Sequence, residues 1–220
     1  MILGAGCIVA CSRDAPSSSG SSEPATIPAA PDARPVVVCF GDSLTAGFGD
    51  DVGEDLAWPA VCQATADAAG FAVRFQNAGV SGETTSGGLR SLSWHLKGDV
   101  AAVVVALGGN DGLRGIDVGT VESNLQAMVD EVRVRYPDVP VVLCGMESPP
   151  SMGEVFTVPF REVFPRVADR NGLALVPFLL EGVAGDPALN QDDGIHPTAA
   201  GQRRIAENVW RVLAPVLESD

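Results

Sequence analysis

Positive charge and histidine are scarce in these 220 residues: 14 Lys+Arg stand against 28 Asp+Glu, two His occur, and the net charge is -14. Residues 1–34 hold two basic and three acidic side chains, so the rest carries 12 minus 25, or -13. A surface of that sign repels phosphate backbones and anionic lipid heads, which argues against nucleic acid as a partner. Cys39, Cys62 and Cys144 show no metal-ligand spacing, and no internal repeat is visible. The apolar run 2–10 is far shorter than the ~18 residues a membrane span needs. What is present is an ordinary globular balance, 46% hydrophobic and 19% charged, in a length that suits one domain with its own core.

The expected division is 1–34 and 35–220. Residues 2–10 read as the end of a secretory signal lacking its basic start, and Ile8-Val9-Ala10-Cys11 resembles a bacterial lipobox. The expectation is an exported, periplasmic or cell-envelope protein, with Cys11 as a possible lipid tether to the membrane. Ser12 to Arg34, rich in Ser, Pro and Ala, reads as a flexible linker.

From residue 35 the pattern alternates. Val36–Phe40, Phe71–Asn77, Ala101–Leu107, Val139–Gly145 and Leu173–Val176 are short, continuously apolar runs, as parallel strands covered on both faces require. Leu56–Ala69, Thr85–Leu96, Val121–Tyr136, Val158–Asn171 and Thr198–Leu217 have helical character. Five strands alternating with helices imply an α/β open, doubly wound sheet whose site lies at the carboxyl ends of the strands.

Four polar segments then fall on one rim. Gly41-Asp42-Ser43-Leu44 follows the first strand, and a serine there becomes a nucleophile only if a base takes its proton. Asp193-Gly194-Ile195-His196 supplies an imidazole and a carboxylate one turn apart, with Pro197 keeping His196 out of helical geometry. The loop Asn77–Thr84 offers the backbone N–H of Gly82, and Gly108-Gly109-Asn110-Asp111 offers an amide donor. With the N–H of Ser43 these make three candidate donors to an oxyanion. Each segment alone also suits a plain turn or a helix cap, with Ser81 or Thr84 capping. A metal held by Asp192, Asp193 and His196 lacks a further ligand at sensible spacing. Asp42 reads as a brace for the serine turn, and His95 as a packing or surface residue. Leu113, Ile116, Met146, Pro149, Pro150, Met152 and Phe156 are the candidate apolar wall of an acyl groove.

These four blocks, in this order from about Val36 to the C-terminus, resemble those of the SGNH (GDSL) hydrolases. Within that family, Leu107–Gly115 and Asp192–Pro197 are similar to the subgroup of bacterial thioesterase/protease/lysophospholipases and arylesterases. The resemblance implies a flavodoxin-like three-layer α/β/α fold with five parallel strands in the order 2-1-3-4-5. It implies Ser43 as nucleophile, His196 as base, Asp193 as its orienter, and Ser43, Gly82 and Asn110 as oxyanion donors. The implied activity is hydrolysis of short- to medium-chain acyl or aryl esters without a cofactor, with acyl-CoA thioesters and lysophospholipids as alternative substrates. The rival from another class is a flavodoxin-like module cradling a flavin or phosphate on the loop Ser43–Gly47. Asp42, Asp50 and Asp51 oppose it, and it leaves Asp193 and His196 without a role. A plain envelope-tethered scaffold domain is a third reading. In the implied strand order Cys39 and Cys144 lie two strands apart, ~9.6 Å, beyond the ~7 Å that a disulfide bridges. Helix-to-sheet packing rarely brings a helical Cys62 into bonding geometry, so all three are expected to be free thiols.

Overall fold

The structure is a computed structural model that describes residues 1–2, 32–49 and 51–219. The chain divides into Met1–Pro31 and Asp32–Asp220. The secretory-signal run from residue 3, Cys11 and the linker as far as 31 lie outside the described residues, as does Asp50.

Five parallel strands, β1 (Val36–Gly41), β2 (Arg74–Gly79), β3 (Val100–Ala106), β4 (Val141–Cys144) and β5 (Ala174–Val176), form one sheet in the order 2-1-3-4-5. All six residues of β1 are buried, whereas the edge strand β2 is half-buried. Continuous apolarity therefore marks the strands covered on both faces. The helices are α1 (Ser43–Ala46), α2 (Gly53–Leu56), α3 (Trp58–Ala69), α4 (Thr85–His95), α5 (Gly109–Arg114), α6 (Val118–Arg135), α7 (Glu154–Asn171) and α8 (Ala199–Leu217). Helix α3 packs with α8 on one side of the sheet, while α4, α6 and α7 pack in succession on the other. Trp58, Phe40, Phe160, Phe164 and Met128 are fully buried between these layers.

Local chemistry shifts several boundaries. Helix α3 starts at Trp58 because Pro59 has no N–H to continue α2, and Ala57 is extended between them. Helix α7 begins at Glu154 and carries Pro159 and Pro165 inside, each forfeiting one hydrogen bond within 18 residues. Asp117 caps α6 by accepting from Thr120 N at 2.9 Å, so that helix starts before Val121. Strand β2 starts at Arg74, since Phe71 packs edge-on against Trp210 of α8 rather than pairing. Cys39, Cys62 and Cys144 are buried free thiols, each pushed up in pKa chiefly by burial.

Gln202 of α8 couples the two ends of the domain. Fully buried, it accepts from Trp58 N at 2.9 Å and donates to the Leu44 carbonyl at 3.1 Å. Gln202→Ala orphans two buried backbone groups and is expected to lower the unfolding free energy by about 2–4 kcal/mol. Urea denaturation of the two proteins measures the difference.

Candidate active site

The turn after β1 is built by Asp42. Its Oδ1 accepts from Leu44 N at 3.0 Å and caps α1, which leaves Ser43 at the first helical position directly over the strand end. The approach is so close that a Cβ on Gly41 would collide with Thr45 and the Ala106 carbonyl, and one on Gly79 with Ala46.

His196 arrives from the opposite end of the chain. Its loop is closed by Gln191 N donating to the His196 carbonyl at 2.7 Å and by Thr198 N donating to Leu189 O at 2.9 Å. The Gln191 side chain donates to the carbonyls of Phe48 (2.8 Å) and Pro197 (2.9 Å), fastening this loop to the segment after α1. His196 Nε2 lies 3.0 Å from Ser43 Oγ, and Nδ1 lies 2.6 Å from Asp193 Oδ2. The other oxygen of Asp193 accepts from the backbone N–H groups of Ile195 and His196, both at 2.9 Å. The His196 ring, then these two N–H groups, hold the Asp193 carboxyl down at about 2. An ionised carboxylate only accepts, so it takes Nδ1–H and leaves Nε2 as the acceptor for the serine proton. Both ring nitrogens are thereby engaged, Nδ1 with Asp193 and Nε2 with Ser43. Phe48 packs against the imidazole, with ring centroids 4.3 Å apart and the planes tilted by 35°.

The second and third loops meet the first. Gly82 has φ +80°, a left-handed conformation that disfavours any side chain although space is available. Thr84 caps α4, accepting from Gly87 N. Asp111, buried, accepts from Thr85 N at 2.8 Å and from the Thr85 hydroxyl at 2.7 Å, pinning the start of α4 to α5. Asn110 Nδ2 donates to Asp42 Oδ2 at 3.3 Å. Burial pushes the Asp42 carboxyl up to about 6, against the opposing hydrogen bonds from Leu44 N and Asn110.

A cavity of about 440 Å³ opens beside this constellation. Ser43, Asn110 and His196 line it, with Leu113, Met146, Pro149 and Pro150 from the expected apolar set. The other three expected residues lie elsewhere. Ile116 packs on the core, Met152 is exposed beside Gly115, and Phe156 stacks on Phe160. The wall is completed by Leu44, Phe178, Leu180 and Ala184, which sequence reasoning missed. The stretch after the fifth strand has no periodicity to mark them. His95 is half-buried against Phe40, as a packing residue is.

A strand-tip serine bonded to an imidazole that a carboxylate holds, on a doubly wound sheet, defines the class of serine hydrolases. Residues 39–204 match the GDSL-like lipase/acylhydrolase family. The chain is 40% identical over 186 residues to esterase TesA of Pseudomonas aeruginosa, covering 84% of this chain and 90% of that one. A solved structure of TesA superposes with a TM-score of 0.77, covering 82% of this chain and 99% of the other. An arylesterase of Vibrio mimicus is 33% identical, covering 84% and 91% of the two chains. Thioesterase 1/protease 1/lysophospholipase L1 of Escherichia coli K12 is 32% identical, covering 86% and 88%. The chain belongs to the GDSL-like lipase/acylhydrolase family.

Asp42 gives this site a pH signature. Its folded pKa of about 6 exceeds the ordinary 3.8, so the native state binds the extra proton between those values. Stability from this group is present below 3.8 and is lost as pH rises through 6. Asp42→Asn cannot titrate. The unfolding free energy of wild type relative to this variant should rise by up to about 3 kcal/mol from pH 7 to pH 4, at about 1.4 kcal/mol per pKa unit. Urea titrations at the two pH values read it directly.

Proposed function

We propose that this hydrolase is a serine esterase of neutral short- to medium-chain acyl or aryl esters, acting through an acyl-enzyme on Ser43. The hydrogen-bonded series Ser43–His196–Asp193, at 3.0 and 2.6 Å, carries the reading. His196 Nε2 takes the Ser43 proton as Oγ bonds to the ester carbonyl carbon, and Asp193 stabilises the imidazolium that results. The N–H groups of Ser43 and Gly82 and the Asn110 amide receive the oxyanion. His196 then protonates the departing alkoxide as the C–O bond breaks. Water repeats the sequence on the acyl-enzyme, His196 taking its proton and returning it to Ser43. No step calls on a cofactor.

The largely apolar cavity suits an uncharged acyl or aryl group. The Escherichia coli relative is named a thioesterase and lysophospholipase, and an acyl chain from either substrate would suit the same cavity. The net charge of -14 disfavours acyl-CoA. Export is part of the proposal, supported by the apolar run 2–10, and a lipid tether by Cys11 in its lipobox-like setting. A series of p-nitrophenyl esters of increasing acyl length, run beside an acyl-CoA and a lysophospholipid, ranks the substrates.

Ser43→Ala should leave the fold intact and reduce ester hydrolysis by at least about a thousandfold, the loss typical of such a nucleophile. Asn110→Ala should lower kcat about 100-fold with KM little changed, since its donor acts on the transition state. A change confined to KM would instead assign Asn110 to substrate binding. Steady-state kinetics on one p-nitrophenyl ester separates these outcomes.

A further inference from the structure

Arg114 lies one helical turn beyond Asn110, exposed and outside the Ser43–His196–Asp193 series. Its Nη2 donates to the Gly82 carbonyl at 3.1 Å and also faces Asn110 Oδ1 at 3.5 Å. On the other side, Asn110 Nδ2 donates to Asp42 Oδ2 at 3.3 Å. A primary amide has two ends of nearly the same shape and opposite hydrogen-bonding sense. A carboxylate only accepts and a guanidinium only donates. With Asp42 at one end and Arg114 at the other, a single orientation of the Asn110 amide satisfies both. The flipped amide would set N–H against the guanidinium and oxygen against the carboxylate.

The same guanidinium nitrogen holds the loop that carries Gly82. The segment after β2 that carries Gly82 is otherwise held at its start by Val80 N donating to the Gly41 carbonyl at 3.0 Å and at its end by the buried Asp111–Thr85 pair at the start of α4. Two donors delivered by different loops must converge on one oxygen within a few tenths of an ångström to act in the transition state. Lysine is a poor substitute here, because its compact, strongly hydrated ammonium lacks the planar fork that holds fixed directions.

We propose that Arg114 is a positioning residue of the oxyanion site: it locks the Asn110 amide against Asp42 and ties the Gly82 loop to it, so that both donors face the same oxygen. The inference rests on the oxyanion role proposed for Gly82 and Asn110. Arg114 touches no reacting atom and acts through these two donors. Its removal therefore weakens transition-state stabilisation while substrate binding is retained.

The test compares wild type, Arg114→Ala, Arg114→Lys, Asn110→Ala and the Asn110→Ala/Arg114→Ala double variant on p-nitrophenyl butyrate, with thermal midpoints for each. Arg114→Ala should lower kcat about tenfold and leave KM within about twofold, and Arg114→Lys should recover only part of the loss. In the Asn110→Ala background the same change should cost no more than about threefold, the remainder that acts through Gly82. The inference is overturned by any of three results: kcat unchanged in Arg114→Ala, a change in KM alone, or an equal factor in both backgrounds. If Arg114→Ala does not fold, Arg114→Lys carries the test: a lowered kcat at constant KM supports the inference and wild-type kinetics defeats it. Asn110→Ala with an unaltered kcat would defeat the oxyanion reading itself. An impaired Asn110→Ala beside a wild-type Arg114→Ala would defeat the clamp alone.

Discussion

Ser43 and His196 are 153 residues apart in sequence and 3.0 Å apart in space, and the proposed chemistry hangs on that contact. Proton transfer tolerates little error in such a distance, so the positions of two unrelated loops must be fixed to within a few tenths of an ångström. The parallel sheet supplies the coarse placement by bringing strand ends to one rim. Side-chain ties supply the fine placement. Gln202 fastens α8, which follows His196, to the carbonyl of Leu44, which follows Ser43. Gln191 fastens the histidine loop to Phe48, whose ring packs against the imidazole. Each such bond is worth only about 1 kcal/mol net. Their value lies in orphaning a backbone group whenever the two loops part.

Two carboxylates in the site are driven in opposite directions by their surroundings. Asp193, with three hydrogen bonds donated to it, is held low at about 2. Asp42, cut off from water, is pushed up to about 6. Environment rather than residue type separates the roles. An anion beside the proposed oxyanion donors opposes the charge that would develop there, so Asp42 must contribute something else. Its two oxygens cap α1 and receive Asn110, joining the first loop to the third. The geometric gain comes at an electrostatic cost, which acid conditions partly relieve.

Most of this architecture is legible in the sequence because buried parallel strands leave a direct trace. Val36–Phe40 and Ala101–Leu107 are apolar without interruption, and both lie in the middle of the sheet. The four polar blocks are legible for a similar reason: Ser43, Gly82, Asn110 and His196 stand in short segments beside strand or helix ends. Where sequence fails, the cause is physical. Helices α1 and α5 have four and six residues, too short for a 3.6-residue period to appear. Ile116, Met152 and Phe156 adjoin the right loops, yet proximity along the chain does not fix which way a side chain faces. Phe156 serves the core through Phe160, while Phe178 and Leu180 reach the cavity from a segment with no pattern. Arg114 is equally silent in sequence, since its partners are a backbone carbonyl and an amide oxygen on different loops.

Much of the cavity wall comes from other loops than the proposed oxyanion donors, although Leu44 and Leu113 adjoin Ser43 and Asn110 and also line it. Ser43, Gly82 and Asn110 follow β1, β2 and β3, at one side of the sheet, and are tied together through Asp42, Asp111 and Arg114. Met146, Pro149 and Pro150 follow β4, and Phe178, Leu180 and Ala184 follow β5. A substitution at Met146, Pro149 or Phe178 changes the cavity wall without touching the ties among the proposed oxyanion donors. On those proposed roles, substitution at the ties acts on rate before it acts on selectivity. Relatives named as an arylesterase and as a thioesterase and lysophospholipase are each about one-third identical to this chain. The transition state of acyl transfer is common to all three kinds of substrate, and the acyl and leaving groups are where they differ.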